Sequence, residues 1–156
     1  MELFCRRATS EDAELYFNWA NDESVRTNSF NQDTIPYENH LKWFKARYQN
    51  SDYIFLIFYN EQKTPVGQVR LNYDFNEGGM LIGISIDKNF RGLGLSRNMV
   101  NMAVDFYINT GRKDNIIAYI KKSNESSYRA FISAGFVLVE ECVISNTISY
   151  KTVKYV

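Results

Sequence analysis

The stretch FRGLGLSRNM, residues 90–99, holds residue types that suit an anion. Gly92 and Gly94 flank Leu93, Arg91 stands in front, and Leu95, Ser96 and Arg97 follow. Glycines carry no Cβ, so a ligand can come close to the backbone there. An apolar helical pattern begins just after them. A helix start leaves backbone N–H groups unpaired and carries partial positive charge. Arg91 and Arg97 add charged, forked donors. The combination suits a phosphate or pyrophosphate, with a plain strand-to-helix turn as the alternative. Two widespread phosphate loops do not fit. There is no G-x-x-x-x-G-K-[ST], and the dinucleotide fingerprint G-x-G-x-x-G breaks at Arg97.

A second stretch, NESSYRAFISAGF at 124–136, has a related layout. It follows an apolar strand, starts with a polar capping residue and ends in Gly-Phe.

The elements that must position these two stretches are legible from periodicity. Residues 2–8 read as a strand and 9–22 as a helix, with Ala13, Phe17 and Ala20 on one face. Residues 23–34 read as a short helix followed by a loop. A helix then starts at Pro36 and carries Tyr37, Leu41, Phe44 and Tyr48. DYIFLIFY (52–59) and PVGQVRLNYDF (65–75) predict a hairpin, and MLIGISID (80–87) a third strand beside it. A helix over 95–111 follows, stopped by Gly111, then a strand at 115–121 and a helix at 124–136. The strands 136–144 and 147–156 close the chain. The order predicts an α+β fold of α/β type, a mixed sheet with helices on its faces. A single domain over 1–156 fits the length.

Composition narrows the class. The chain has 18 basic and 18 acidic residues, so no basic excess argues for nucleic acid or an anionic membrane. The 11 Tyr, 11 Phe and 2 Trp suit a core and also a pocket for a ring-shaped ligand. Cys5 and Cys142 form no C-x-x-C or Cys/His cluster, which argues against a structural zinc and for buried thiols. The start, MELFCRRATSED, lacks a signal-peptide apolar run, and YIFLIFY is too short to span a bilayer. A cytoplasmic protein, monomeric or homodimeric and without a metal, is expected.

Taken together, the pieces resemble the GCN5-related N-acetyltransferase (GNAT) superfamily. Its diphosphate pattern [Q/R]-x-x-G-x-[G/A] is similar to Arg91-Gly92-Leu93-Gly94-Leu95-Ser96. A later pattern is similar to Asn124, Ser127, Phe131, Gly135 and Phe136. The resemblance covers essentially the whole chain. It implies a mixed sheet of about seven strands flanked by about four helices, and acetyl-CoA as co-substrate. The pyrophosphate would lie on the N–H groups of the 91–96 loop. Pantetheine would pair with Ile84, Ser85 and Ile86 as an added strand, with Asn124, Ser127 and Phe131 beside it. The acceptor would be a primary amine attacking the thioester directly.

Two positions depart from the family pattern. Phe131 stands where a tyrosine usually protonates the leaving thiolate, and Leu81 where a glutamate is common. A thiol pKa of about 8.5 lets the thiolate leave without an acid. General-acid help is typically worth about 10²–10⁴-fold, so its loss slows the reaction rather than ending it. Ser85 and His40 are the catalytic candidates. His40, the only histidine, is a base or else a packed side chain.

Arg26, Asn28, Ser29 and Phe30, with His40, are the acceptor-side candidates. They resemble the subgroup that acetylates nucleotide-linked deoxy amino sugars. Asn28 and Ser29 would bond ring hydroxyls, and Arg26 would meet a phosphate. Packing and loop capping would account for the same residues equally well. The rival readings are a ribosomal-protein-type N-terminal acetyltransferase and a non-catalytic CoA-binding module.

Overall fold

Seven segments become the strands of one sheet in a computed structural model that describes residues 1–156. They are β1 (Phe4–Arg7), β2 (Tyr53–Tyr59), β3 (Pro65–Asp74), β4 (Gly79–Ile86), β5 (Ile116–Lys121), β6 (Val137–Ile144) and β7 (Thr147–Lys154). The helices are α1 (Ala13–Ala20), α2 (Glu23–Asn28), α3 (Tyr37–Arg47), α4 (Leu95–Asn109) and α5 (Glu125–Ser133). The spatial order is β1-β2-β3-β4-β5-β7-β6, antiparallel except for the β4–β5 pair. The α+β expectation is met.

One expected helix, 9–22, is divided. It begins as a 3₁₀ turn at Ser10–Asp12, where Asp12 accepts the Thr9 N–H at 2.6 Å and Nη1 and Nη2 of the Arg6 guanidinium at 2.8 and 2.9 Å. It stops at Ala20 because Asp22 caps a new helix, accepting from the N–H groups of Ser24 and Val25. The turn so made sends α2 across the sheet rather than along α1.

Side chains alternate between the two faces of the sheet. On one face Leu56, Phe58, Val69, Leu71 and Met80 pack against α4 through Met99, Val100, Ala103 and Tyr107. On the other, Phe55 and Ile57 pack against Tyr16 and Trp19 of α1 and Phe44 of α3. Gly67 lets α4 approach: a Cβ there would lie 2.5 Å from the Ser85 carbonyl oxygen and 2.8 Å from Met99 Cε. Cys5 and Cys142 are free thiols on β1 and β6, at opposite edges of the sheet. No helix is long and apolar enough to cross a membrane.

The sheet opens at its middle. The β4–β5 ladder consists of Met80↔Ile116 and Leu81↔Ile117 alone. Beyond Leu81 the strands part, and Ile82 to Ile86 keep only β3 as a neighbour.

Candidate active site

A cleft of about 870 Å³ lies in that opening, between β4, β5, α4, α5 and the α1–α3 layer. Its rim on the α4 side is the glycine stretch. Gly92 (φ +76°) and Gly94 (φ +71°) are both left-handed, and a Cβ at either would meet nothing within 4 Å. The backbone is bent as only glycine adopts easily, and open space stands over it. Gly94 is the N-cap of α4 and offers no side chain to its first turn. The N–H groups that open this 15-residue helix therefore face outward uncapped.

The individual residues of this motif have distinct surroundings. Leu93 is 59% exposed at the loop tip, while Leu95 turns into the core. Ser96 lines the cleft. Arg91 differs from the expectation of a free phosphate fork: Nε donates to the Ile86 carbonyl at 3.0 Å and Nη2 to Asp22 at 2.7 Å. It ties the loop to the cap of α2. Asp22 is held below its ordinary pKa because Arg91 and two backbone N–H groups outweigh its burial.

On β4, Met80 N–H donates toward β5, to the Asn115 carbonyl at 2.9 Å. With two-residue alternation, Ile82 and Ile84 direct backbone groups toward the same, unpartnered side. An extended amide chain fits there as an added strand. Across the gap, Asn124 caps α5 through Oδ1 to Ser127 N–H at 3.4 Å, and its amide N–H₂ remains without a protein partner. Ser127 and Phe131 complete that wall. The open glycine turn, the uncapped helix start and the bare strand edge together fit a pyrophosphate joined to an amide arm.

On the sheet face beneath α1–α3, register aligns Gln68 with Ser85 and Arg70 with Gly83. Gln68 Nε2 donates to Ser85 Oγ at 2.8 Å, while its buried Oε1 has no partner. Sequence reasoning missed Gln68, Arg70 and Lys121. A signal existed: Gln68 and Arg70 alternate as polar residues inside a strand between two buried neighbours. Such a polar pair signals a lined cavity rather than a solid core.

The acceptor candidates separate into two groups. Arg26, Asn28, Ser29, Phe30 and His40 all line the cleft, but their polar groups are not equally free. Arg26 does not stand free: its guanidinium donates to the carbonyls of Ala20 (2.6 Å), Asn31 (3.0 Å) and Asp33 (3.2 Å) and to Ser29 Oγ (3.3 Å). Ser29 in turn donates to the Val25 carbonyl at 2.6 Å. These two residues fasten the loop that roofs the cleft while bordering it. Arg26→Ala is expected to speed amide exchange at residues 29–35 by about tenfold or more, with β2 and β3 unaffected. Unchanged exchange would return Arg26 to ligand binding.

His40 is 4% exposed between α1 and α3. Its Nε2 donates to the Ala13 carbonyl at 3.1 Å, and Phe17, Trp43 and Phe44 surround the ring. Burial pushes its pKa down, against the Ala13 bond and with help from nearby Arg70. A histidine that is neutral when folded and charges when unfolded contributes stability above its unfolded pKa, and loses it as pH falls. The Tm is therefore expected to drop as pH goes below about 6.5, and His40→Phe to flatten that drop. Identical pH profiles for the two proteins would remove the buried neutral state. Tyr128 packs on Tyr150 at 4.6 Å and does not line the cleft.

The matched family is described as acetyltransferase (GNAT) domain, over residues 2–137. The chain belongs to the GNAT acetyltransferase family. The family is one of acetyltransferases. No group of three or more His, Cys, Asp and Glu side chains converges to hold a metal ion.

Among solved structures it is similar to a spermidine N-acetyltransferase from Vibrio cholerae in complex with CoA and spermine. The TM-score is 0.88 at 16% identity, covering 98% of this chain and 95% of that one. It is also similar to the aminoglycoside acetyltransferase AAC(6')-Ib in complex with coenzyme A, with TM-score 0.81, 15% identity, and 99% and 95% coverage. At these identities the likeness carries the fold. The uncharacterized protein MJ1062 of Methanocaldococcus jannaschii is 29% identical over 139 residues. That match takes in 86% of this chain, which spans 28% of the length of that relative. Polyamine and aminoglycoside acetyltransferases thus stand where the nucleotide-sugar subgroup was expected.

Proposed function

We propose that this GNAT domain, residues 1–156, acetylates the amino group of a small anionic acceptor, with a nucleotide-linked amino sugar as the substrate class. The observation that carries the reading is the charge of the cleft. Arg26, Arg70, Arg91 and Lys121 line it, and no aspartate or glutamate does. A polyamine or an aminoglycoside brings several positive charges and would meet uncompensated cations. An acceptor bearing phosphate meets complementary charge.

In this reading the first-turn N–H groups of α4, with Gly92, Gly94 and Ser96, receive the pyrophosphate of acetyl-CoA. Ile84 and Asn124 hold the pantetheine amides, beside Ile86 and Ser127. Acetyl-CoA supplies the activated acetyl group. The chain's own share is positioning: it brings the amine to Ser85 and Gln68 at the parting of β4 and β5. Such alignment removes a large part of the entropic barrier. Gln68 Oε1, buried and unpartnered, accepts one N–H of the neutral amine.

The test is thiol release from acetyl-CoA with a uridine-diphosphate-linked 4-amino sugar, spermidine, kanamycin and a peptide with a free N-terminus. Turnover on the nucleotide sugar alone supports the reading. Turnover on spermidine or kanamycin reverses the charge argument, and turnover on the peptide makes it a protein N-terminal acetyltransferase. Tight acetyl-CoA binding without turnover on any amine makes it a CoA-binding module.

A further inference from the structure

Lys121 ends β5 with 5% of its surface exposed, yet it has no carboxylate partner. Its ammonium group makes one bond, to the Thr27 carbonyl at 2.9 Å. Two of its three donors are left over. Arg70, half-buried on β3, is barer still: it makes no hydrogen bond or ion pair within the chain. Its guanidinium lies 5.5 Å from the Trp43 ring centroid, and the site of a Gly83 Cβ is 3.7 Å from Nη2. Arg70 and Lys121 both line the cleft beneath α1–α3. Burying cations without counter-charge is costly, and proteins do so where a ligand supplies the charge.

We propose that Arg70 and Lys121 form an anion subsite that takes the phosphates of the acceptor's nucleoside diphosphate. This rests on the acetyltransferase reading above and names what holds the acceptor. Charge counting favours phosphate over a carboxylate. Asp22 offsets Arg91, whereas Arg26, Arg70 and Lys121 have no acid beside them. A carboxylate would answer one of these charges, and a diphosphate more than one. The fork of Arg70 suits two phosphate oxygens, and Lys121 serves as a point charge. Gly83 keeps the strand below the guanidinium free of any side chain. Trp43 supports its other side by a cation–π contact.

The experiment is calorimetric titration of UDP into protein already saturated with CoA, so that the glycine turn is occupied. UDP is expected to bind the wild type. Lys121→Met and Arg70→Met are each expected to weaken UDP binding by about tenfold or more, as for a lost bond to a charged group. Their CoA affinity stays close to wild type, and Lys121→Arg keeps most of the UDP binding. Equal UDP affinity across the variants overturns the subsite, as does failure of UDP to bind protein that binds CoA. Failure to bind CoA instead overturns the acetyltransferase reading itself. Malonate competing as well as UDP overturns the preference for phosphate, and spermidine binding overturns the polarity. Should Lys121→Met fail to fold, Arg70→Met alone decides.

Discussion

Gly94→Val is expected to lower acetyl-CoA affinity by about 100-fold or more, from the loss of two or so charge-assisted N–H bonds to phosphate. The substitution meets no protein atom, because a Cβ at Gly94 has nothing within 4 Å. Its effects are therefore two. It puts a β-branched residue at φ +71°, which costs about 1–2 kcal/mol. It also fills the space from which an anion reaches the first turn of α4. A control separates the two. Gly78 sits at φ +66° with equally open surroundings, in the turn between β3 and β4, away from the cleft. Gly78→Val carries the same backbone strain and is expected to lower Tm comparably without touching acetyl-CoA affinity. If Gly94→Val also leaves affinity unchanged, the glycine stretch is only a strand-to-helix corner.

The two stretches that bear the family resemblance were legible because their signals are local. Positive φ at Gly92, Gly94, Gly111 and Gly135 answers to turns and helix ends that glycine marks in any chain. The strands followed from runs such as YIFLIFY, which the structure pairs on both sides. The acceptor side was less legible because it depends on register. Nothing local says that Arg70 faces Gly83, that Gln68 faces Ser85, or that Lys121 reaches Thr27 from the far side of the gap. Those contacts follow from the β3–β4 register and from the placement of α2 near the end of β5. Arg26 misled for a related reason. A surface-looking arginine next to Asn and Ser resembles a ligand hook. Its acceptors, however, are the carbonyl that ends α1 at Ala20 and carbonyls of the following loop, brought into range when Asp22 caps α2 and redirects the chain.

The roof and the floor of the cleft are held by different kinds of bond, and this bears on how an acceptor enters. The floor is formed by strands β3 and β4, laddered from Gly67↔Ile86 to Asp74↔Gly79. The roof, α2 and residues 29–35, is held by polar clasps. Asn21 exchanges two 2.8 Å bonds with Ile35, Arg26 gathers the loop carbonyls, and Lys121 holds Thr27. Segments held by few apolar contacts open at lower free energy than core strands. Lys121 has two ammonium donors beyond the one Thr27 uses, so an anion held there would share this group with the roof.

Phe131→Tyr is expected to raise kcat by about tenfold or more near neutral pH, toward the lower part of the usual general-acid range. Phe131 lines the cleft, is 2% exposed, and stands edge-on to Phe136 at 5.0 Å. A hydroxyl added to its ring has two possible surroundings. If it reaches the cleft, it can donate a proton to the departing thiolate. If it stays in the core, it is a buried donor without a partner and costs about 1–3 kcal/mol. Thermal unfolding and turnover therefore move in distinguishable ways. A Tm near that of the wild type together with a higher kcat assigns the position to the leaving group. A lower Tm with lower kcat assigns Phe131 to packing alone. The pH profile gives a further check. The benefit of an acid fades once the thiolate is stable by itself, above about pH 8.5. The kcat ratio of variant to wild type is thus expected to fall toward one as pH rises through that value. A ratio that is constant from pH 6.5 to 9.5 would mean that the hydroxyl changes the pocket rather than the proton.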